Sequence, residues 1–332
     1  MNKVVKYLVL LTLICYAVFL VSGCSNKEQV QDNTGSVIMN YDDNGKSVKT
    51  VYHDVPQKVL VLYPGATEVM LELGLEQNVL ATVSPYGGEP EQIADKYKAL
   101  PKIKAAYIPA LEEVFAMQPD LIIGWAHNFS PTELGSVYDW KAHDIPVYIV
   151  PATLQHDLPT LENSVYPFLT DMGIIFQCQD KANAYVEQLK QKVSEVNSAV
   201  ADKPQKTAIV LQDHGKSSYS LYGPNYLITD ILAKAGLTNL VQTKTSFVGP
   251  ERILGYDPDY LIFVSLPDKD GNDLTDEEVI KLVTSNKDLT SLRAVREKRI
   301  INIPFAQVNS GNGRAVDALL KIYEARQQIE NF

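Results

Sequence analysis

Apolar and polar positions form two kinds of stretch along the chain. Runs such as Lys58–Tyr63 (KVLVLY) and Thr207–Leu211 (TAIVL) are apolar almost throughout, which is typical of strands covered by helices on both faces. Other stretches, such as Asp157–Met172, carry apolar residues every three or four positions, the spacing of a helix with one buried face. Strands that alternate with helices predict an α/β fold with mostly parallel sheets.

Local residue types predict where two of these helices begin and end. After the strand 58–63, Pro64 and Gly65 are expected to turn the chain, and Thr67 is a candidate N-cap for a helix over Glu68–Leu73. Gly173 is expected to end the helix over Asp157–Met172, because glycine commonly follows a last helical turn.

One pattern of helix, turn and strand occurs twice. The stretch 112–123 reads EEVFAMQPDLII and the stretch 251–262 reads ERILGYDPDYLI, so Glu112 aligns with Glu251 and Phe115 with Leu254 without a gap. Proline cannot continue a helix and aspartate favours turns, so each Pro-Asp pair marks a corner between helix and strand. The repeat predicts two lobes of similar build, each presenting one acidic residue at an equivalent place. Chance recurrence of a common α/β pattern is the alternative.

The length of 332 residues also favours two lobes over one domain. Two short apolar runs on either side of Asn44-Gly45 predict a β-hairpin ahead of the first lobe. A single rigid helix is predicted to cross between the lobes, which favours small lobe motions over a wide hinge. The predicted divisions are residues 36–153 for the N-terminal lobe with its hairpin, 154–175 for the connecting helix and 176–332 for the C-terminal lobe.

The N-terminus has the pattern of a secretion signal. Lys3 and Lys6 precede the apolar run Leu8–Leu20, and small residues then lead to Cys24. The stretch LVSGC at 20–24 resembles a bacterial lipobox, in which the chain is cut before the cysteine and the cysteine is lipidated. We therefore expect a signal peptide at 1–23, a flexible polar tether at 24–35 and an extracytoplasmic protein held on the bilayer through Cys24. A plain membrane anchor, or a signal cut elsewhere, is the alternative.

Charge and motif content argue against several classes of function. The net charge of −10 argues against nucleic acid as a partner and against adhesion to anionic lipid through a basic face. The three cysteines and five histidines are too scattered to predict a zinc or manganese site, so no metal site is predicted. An extracellular hydrolase is the rival of another class, but the chain has no Gly-x-Ser-x-Gly elbow and no Gly-rich phosphate loop.

Aromatic residues gather in the loops that follow the predicted strands. Tyrosine is frequent, with 18 copies in the chain. Aromatic walls suit a large, flat, partly apolar ligand, whereas ordinary core packing is the alternative for each ring taken singly. The candidate ligand contacts are Tyr63, Tyr86, Tyr107, Trp125, Tyr219 and Phe247, with Tyr222 in the same group of loop aromatics.

Three further residues are candidates for polar contacts with a ligand. His127 and His214 follow predicted strands in opposite lobes, where each would be able to donate to a ligand oxygen or to ligate an exposed metal. Arg314 stands at the start of the last helix and would be able to reach an anionic group of the ligand. The alternatives are histidines satisfied within their loops and a surface ion pair for the arginine.

Four segments carry a resemblance to a known family. They are KVLVLYPGATEVMLELGL at 58–75, LEEVFAMQPDLIIGW at 111–125, YGPNYLITDILAKAGLTNL at 222–240 and VGPERILGYDPDYLIF at 248–263. They resemble the substrate-binding lipoproteins of ABC importers for ferric siderophores, haem and cobalamin, the helical-backbone class III type. The resemblance implies two α/β lobes joined by one long helix, with the ligand in the cleft between them.

The resemblance also implies a function and a partner. It implies a receptor that is not an enzyme, has no cofactor and captures a small-molecule chelate, either a ferric siderophore or, as the alternative, cobalamin or haem. Tyr86 fits a family position that contacts ligand in the cobalamin binders. In that family one glutamate on each lobe docks onto arginines of the dimeric permease, which works with an ATPase. The motif carries this role to Glu112 and Glu251, with Glu68 in reserve, whereas stabilisation by the helix dipole is the alternative reason for the glutamates.

Overall fold

A computed structural model describes residues 35–105, 108–154, 158–243 and 247–330. The predicted signal peptide, Cys24 and nearly all of the tether lie outside these residues, as does Tyr107.

The described residues of the N-terminal lobe form a four-stranded parallel sheet and a hairpin. The order in the sheet is β4-β3-β5-β6, and the antiparallel hairpin β1–β2 turns at Asp42–Gly45, as predicted. Asn40 of the hairpin joins it to the sheet, since its side chain exchanges hydrogen bonds of 2.8 and 3.0 Å with the backbone of Ile149. The strands and helices of this lobe are β1 (Ser36–Tyr41), β2 (Ser47–Tyr52), β3 (Val59–Val61), α1 (Pro64–Glu72), β4 (Val79–Thr82), α2 (Glu91–Ala99), α3 (Leu111–Met117), β5 (Leu121–Gly124), α4 (Val137–Ala142) and β6 (Val147–Ile149).

The C-terminal lobe is built around a second sheet, six-stranded in the part of the chain that the structure describes. Its order is β10-β8-β7-β11-β12, with β9 paired to β7; β9, β7, β11 and β12 run parallel. The elements after the N-terminal lobe are α5 (Tyr166–Ile175), α6 (Gln179–Val200), β7 (Lys206–Asp213), β8 (Tyr219–Leu221), α7 (Ile228–Lys234), β9 (Leu237–Asn239), β10 (Phe247–Val248), α8 (Pro250–Leu254), β11 (Tyr260–Ser265), α9 (Asp276–Ser285), α10 (Arg293–Arg296), β12 (Ile300–Pro304), α11 (Phe305–Asn309) and α12 (Arg314–Glu330). The predicted α/β fold class is confirmed.

The sequence repeat is also a structural repeat. Buried and exposed positions match from 112–123 to 251–262 except at the pair Asp120 and Asp259. Gln118 and Asp257, which are equivalent, both have positive φ, of 50° and 40°. Each Pro-Asp aspartate holds the start of the neighbouring strand: Asp120 accepts from the backbone N–H of Lys58 at 2.8 Å, and Asp259 from that of Thr207 at 2.9 Å. The two copies are therefore the same structural unit placed once in each lobe.

The connection between the lobes differs from the predicted single helix over 157–172. A π-helical turn at Leu161–Val165 leads into α5, and the longest helix of this region is α6, with 22 residues. Gly173 was expected to end the first helix, but it lies inside α5. A Cβ at that position would lie 2.6 Å from Cβ of Ala182, so this glycine permits the close approach of α5 and α6.

The predicted N-cap at Thr67 is wrong, because α1 already begins at Pro64. Proline is well suited to a first helical position, since its fixed φ matches the helix and its missing N–H would have no partner there. Thr67 is buried, and its hydroxyl bonds the hydroxyl of Thr82 in β4. The residue thus joins the helix to the sheet.

A layer of helices joins the two sheets into one apolar core. The same cluster of buried side chains contains Val61 of β3 and Ile262 of β11, together with Leu169 of α5, Leu189 of α6 and Leu319 of α12.

Within the described ranges, no helix combines the length and the apolar character needed to cross a membrane.

Candidate functional site

The carboxyl ends of strands from both sheets meet at an aromatic cluster. Tyr63 follows β3, Tyr86 follows β4, and Phe305 follows β12 of the other lobe. The ring centroids of Tyr63 and Tyr86 are 6.0 Å apart and those of Tyr86 and Phe305 are 5.2 Å apart, both edge to face. Ligands of α/β proteins bind outside the carboxyl ends of parallel strands, so the junction between these two edges is the candidate binding site.

Tyr63 lies at the base of this junction. Its hydroxyl donates to the backbone oxygen of Asn309 in the opposite lobe, and burial raises the pKa of its phenol well above the ordinary value. The side chain is 7% exposed. Tyr63 therefore joins the lobes beneath the site and leaves little surface for a ligand, whereas Tyr86 and Phe305 are only partly buried.

An exposed aromatic residue and a histidine flank the site in the N-terminal lobe. Trp125 follows β5 and is 37% exposed, and its ring lies 5.3 Å from the ring of His127. The backbone N–H of Trp125 donates to Asn128 at 2.7 Å, which fixes the turn, and Nε2 of His127 lies 3.6 Å from Glu133. The structure thus brings together two residues that the sequence singled out separately.

A second such pair stands at the edge of the C-terminal sheet. His214 follows β7, and Phe247 lies on β10, which is joined to β7 through β8. Their ring centroids are 4.8 Å apart, Nε2 of His214 is 2.8 Å from the hydroxyl of Ser220, and Phe247 is 69% exposed. Each lobe therefore offers an exposed aromatic face beside an imidazole.

Tyr219 and Tyr222 were predicted as loop aromatics, but the structure buries both. Tyr219 is 1% exposed in the core of the C-terminal lobe, and its hydroxyl donates to Asp288 at 2.9 Å; burial raises its pKa to about 12. The hydroxyl of Tyr222 donates to Gln212 at 2.7 Å. A ligand role for Tyr219 is contradicted, because its ring and its hydroxyl are already occupied by the protein.

Arg314 was a candidate for contact with the ligand, but the structure pairs its side chain with a buried carboxylate. Its Nη1 atom donates to Oε1 of Glu68 at 3.1 Å, and the two side chains are 7% and 2% exposed. Asn312 adds a hydrogen bond of 2.7 Å to the same carboxylate. Burial raises the pKa of Glu68, although Arg314 and Asn312 lower it in part. The prediction that Glu68 is a reserve docking residue is wrong for the same reason, because its carboxylate is enclosed between the lobes.

One side of the site is bridged by two loops that the sequence analysis did not connect. The backbone N–H of Gly88, after β4, donates to Oδ1 of Asp273, after β11, at 3.2 Å. A Cβ at Gly87 would lie 2.6 Å from the same oxygen, so a glycine there allows the loops to approach. Neither Asp273 nor Phe305 was singled out by the sequence analysis. Phe305 directly follows the apolar strand β12, so the argument used for the other aromatics applies to it as well.

The two repeat glutamates lie on the surface at equivalent positions. Glu112 and Glu251 are exposed in the first turns of α3 and α8. Each helix turns sharply into the next strand of its sheet and is antiparallel to that strand, so the first turn of the helix lies near the carboxyl edge of the sheet.

Among the described residues, no group of three or more His, Cys, Asp or Glu side chains could hold a metal ion.

Comparisons with known proteins agree with this architecture. A family model described as a periplasmic binding protein matches residues 59–306. The ferric-anguibactin-binding protein of Vibrio anguillarum is 22% identical over 229 residues, which make up 66% of each chain. The vitamin B12-binding protein of Pectobacterium atrosepticum is 23% identical over 231 residues, 67% of this chain and 77% of that protein.

Solved structures show the same fold. The crystal structure of an ABC-type Fe3+-hydroxamate transport system from Saccharomonospora viridis matches with a TM-score of 0.69 and 23% identity, over 87% of this chain and 98% of that chain. Because the family model spans most of the described sequence, from the first strand of one sheet to the last strand of the other, the chain belongs to the periplasmic binding protein family.

Proposed function

We propose that this chain is the substrate-binding component of an ABC importer and that it captures a ferric siderophore outside the cytoplasmic membrane. Membership in the periplasmic binding protein family supports a receptor rather than an enzyme. The similarity to a ferric-anguibactin-binding protein supports an iron chelate as the ligand.

The observation that carries the choice of ligand class is the pair of exposed aromatic and histidine sets on the two lobes. Trp125 with His127 and Phe247 with His214 offer broad apolar faces beside nitrogen donors. A ferric chelate presents apolar or aromatic faces together with oxygen atoms that accept hydrogen bonds, so it would use both kinds of contact. The metal of such a ligand is already held by the chelator.

A cobamide is the second candidate. Tyr86 contacts Phe305 across the lobes and is partly buried at the base of the site, where a flat macrocycle would rest. The similarity to a vitamin B12-binding protein over 77% of that protein supports this alternative.

Intrinsic fluorescence tests the ligand class directly. The chain has two tryptophans, of which Trp125 is 37% exposed at the site and Trp140 is 1% exposed in the core. Ferric hydroxamate, catecholate and carboxylate siderophores, haem and cobalamin are titrated in turn, and the ligand that binds is expected to quench Trp125. Ligand at 100-fold excess over Kd should also stabilise the protein by about 2.7 kcal/mol in a thermal-shift measurement.

The variant Trp125→Phe shows whether a loss of fluorescence comes from a ligand bound beside Trp125 or from absorption of light by free ligand. It keeps an aromatic face but should lose most of the quenching, while the thermal shift persists. Failure of every ferric siderophore to bind, with binding of cobalamin, would replace the first candidate by the second. Failure of the whole panel would contradict the proposal.

The proposal also includes a lipid anchor on the membrane and a docking contact with a permease. We infer that Cys24 carries the lipid anchor, so Cys24→Ala is expected to shift the protein from the membrane fraction to the soluble fraction. We also infer that Glu112 and Glu251 meet cationic residues of a dimeric permease that works with an ATPase. The equivalence of the two copies supports this, because a two-fold symmetric partner offers two equivalent contacts.

A further inference from the structure

We propose that Phe115 and Leu254 form a second, apolar pair of contacts with the membrane-embedded subunits of the importer. This inference rests on the proposed docking of Glu112 and Glu251 and adds to it the apolar part of the interface. Each docking surface is defined here as one of these glutamates with the apolar residue three positions after it.

The repeat itself points to these residues. Phe115 follows Glu112 by three positions, and Leu254 follows Glu251 by three positions, so each apolar side chain lies on the same helix face as its glutamate. Phe115 is 37% exposed and Leu254 is 40% exposed. An exposed apolar residue is ordinary when it stands alone, but the same position exposes one in both copies.

The other exposed position within the first turns of these two helices does not have the same chemical character in both copies. Glu113 aligns with Arg252, which has the opposite charge. Glu113 also turns back towards its own helix, where its carboxylate accepts from the backbone N–H of Ala110 at 3.4 Å. Among the exposed helical positions, an acid and a large apolar residue are therefore what the two lobes share.

The chemistry of the surface indicates a protein partner with a cation beside an apolar hollow on each half. An exposed ion pair is weakened by water, and apolar side chains around it exclude that water. The surface at Glu112 also carries Glu113 and would be repelled by anionic lipid, which argues against the bilayer as its occupant. A symmetric dimer through the surface at Glu112 would bring the acidic residues Glu112 and Glu113 of both copies together, which argues against a second copy of the chain as its occupant.

Site-specific photo-crosslinking identifies the occupant. A photoreactive phenylalanine analogue is placed at position 115 or 254 of the whole chain, which is expressed in its native cells so that its natural partners are present. Crosslinked partners are then identified by mass spectrometry. We expect permease subunits at both positions. The exposed residues Leu158 and Leu282 are 61% and 44% exposed and serve as control positions, at which no permease should be captured. Crosslinks from 115 and 254 to lipid, or to a second copy of the chain, would overturn the inference.

Substitution tests whether the contacts matter for transport. The double variant Phe115→Gln with Leu254→Gln should lower uptake of the ligand identified by the panel about tenfold, whereas Leu158→Gln with Leu282→Gln should leave it unchanged. Phe115 also stacks on Trp140 at 4.7 Å, so its substitution affects packing as well as the proposed contact. The single variant Leu254→Gln changes a residue that is 40% exposed, and it should reduce uptake with the melting temperature unchanged.

The result also separates this inference from the function on which it rests. If charge reversal of the glutamates abolishes uptake while the apolar variants do not reduce it, the apolar contacts are refuted and docking by the glutamates stands. If the panel finds a ligand and neither set of variants changes uptake, both docking proposals are refuted while the receptor role remains.

Discussion

Arg314 Nη1 donates to Glu68 Oε1 at 3.1 Å, and this buried pair joins helix α12 of one lobe to helix α1 of the other. Asn312 supports it with hydrogen bonds to the Glu68 carboxylate and to the backbone oxygen of Gly65, at 2.7 and 2.9 Å. Removing one partner of a buried pair is costly, because the other charge is left without compensation. The pair therefore holds the lobes in one arrangement.

The variant Arg314→Met is expected to lower the free energy of unfolding by about 3–5 kcal/mol, because Glu68 would remain buried without its counter-charge. Urea denaturation measures the change. The double variant Glu68→Leu with Arg314→Met should recover most of the loss. The partly exposed pair of Arg299 and Glu297 is the matched control, and Arg299→Met should cost less than about 1 kcal/mol. Equal losses for the two arginine variants would contradict the role given to Arg314.

The close contact between the lobes at Gly65 gives a second prediction. A Cβ at Gly65 would lie 1.8 Å from the backbone oxygen of Ser310, which is too close for any side chain. Gly65→Ala should therefore destabilise the protein by about 1–3 kcal/mol or more, since the two lobes must move apart. Gly255→Ala is the control, because its Cβ would meet its nearest neighbour at 3.5 Å. Thermal melting of both variants checks the prediction, and a neutral Gly65→Ala would refute it.

These two contacts show what the sequence alone can and cannot reveal. The repeat was predictable because Pro119-Asp120 and Pro258-Asp259 signal their corners through residues that are adjacent in the chain. The pairing of Glu68 with Arg314 was not, because the partners are 246 positions apart and neither has a local feature that names the other. Burial of an arginine depends on the partner it finds in three dimensions.

The same limit applies to the aromatic residues of the site. Trp125, Phe247 and Tyr219 all occur in or near loops at strand ends, and the sequence treats them alike. The structure separates them, since Tyr219 points into the core beneath its hairpin while Phe247, across the strand pair from Ser220, remains exposed. Strands alternate their faces at every residue, so a shift of one position decides which ring is buried.

Asp171 predicts how stability depends on pH. Burial raises the pKa of its carboxyl from 3.8 to about 6, although the Tyr148 hydroxyl, which donates to it at 2.8 Å, lowers it in part. Between pH 4 and pH 6 the folded chain therefore keeps a proton that the unfolded chain has released. The contribution of Asp171 to stability is greatest below pH 4 and falls as the pH rises through 6, by roughly 2–3 kcal/mol.

The variant Asp171→Asn should remove this dependence. Asparagine keeps an oxygen that accepts from Tyr148 but carries no charge, so the variant should be more stable than the parent at pH 8 and similar to it at pH 4. Melting temperatures across pH 4–8 measure the difference, with the exposed Asp202→Asn as the control. If the two variants follow the same pH profile, burial of Asp171 does not govern the dependence.

Charge reversal of the repeat glutamates tests the docking proposal. Glu112→Lys with Glu251→Lys should leave ligand affinity within about twofold of the parent, because both residues lie on the outer surface of short helices, while uptake should fall at least tenfold through repulsion from a cationic partner. The control is Glu195→Lys with Glu324→Lys, which changes the net charge equally at exposed positions of α6 and α12. Because the charge change is matched, a loss of uptake confined to the first variant indicates local contacts rather than a general effect of charge. Each single reversal should show a partial loss, since a two-fold partner keeps its other contact. Uptake that stays normal in Glu112→Lys with Glu251→Lys would refute the docking role of both residues.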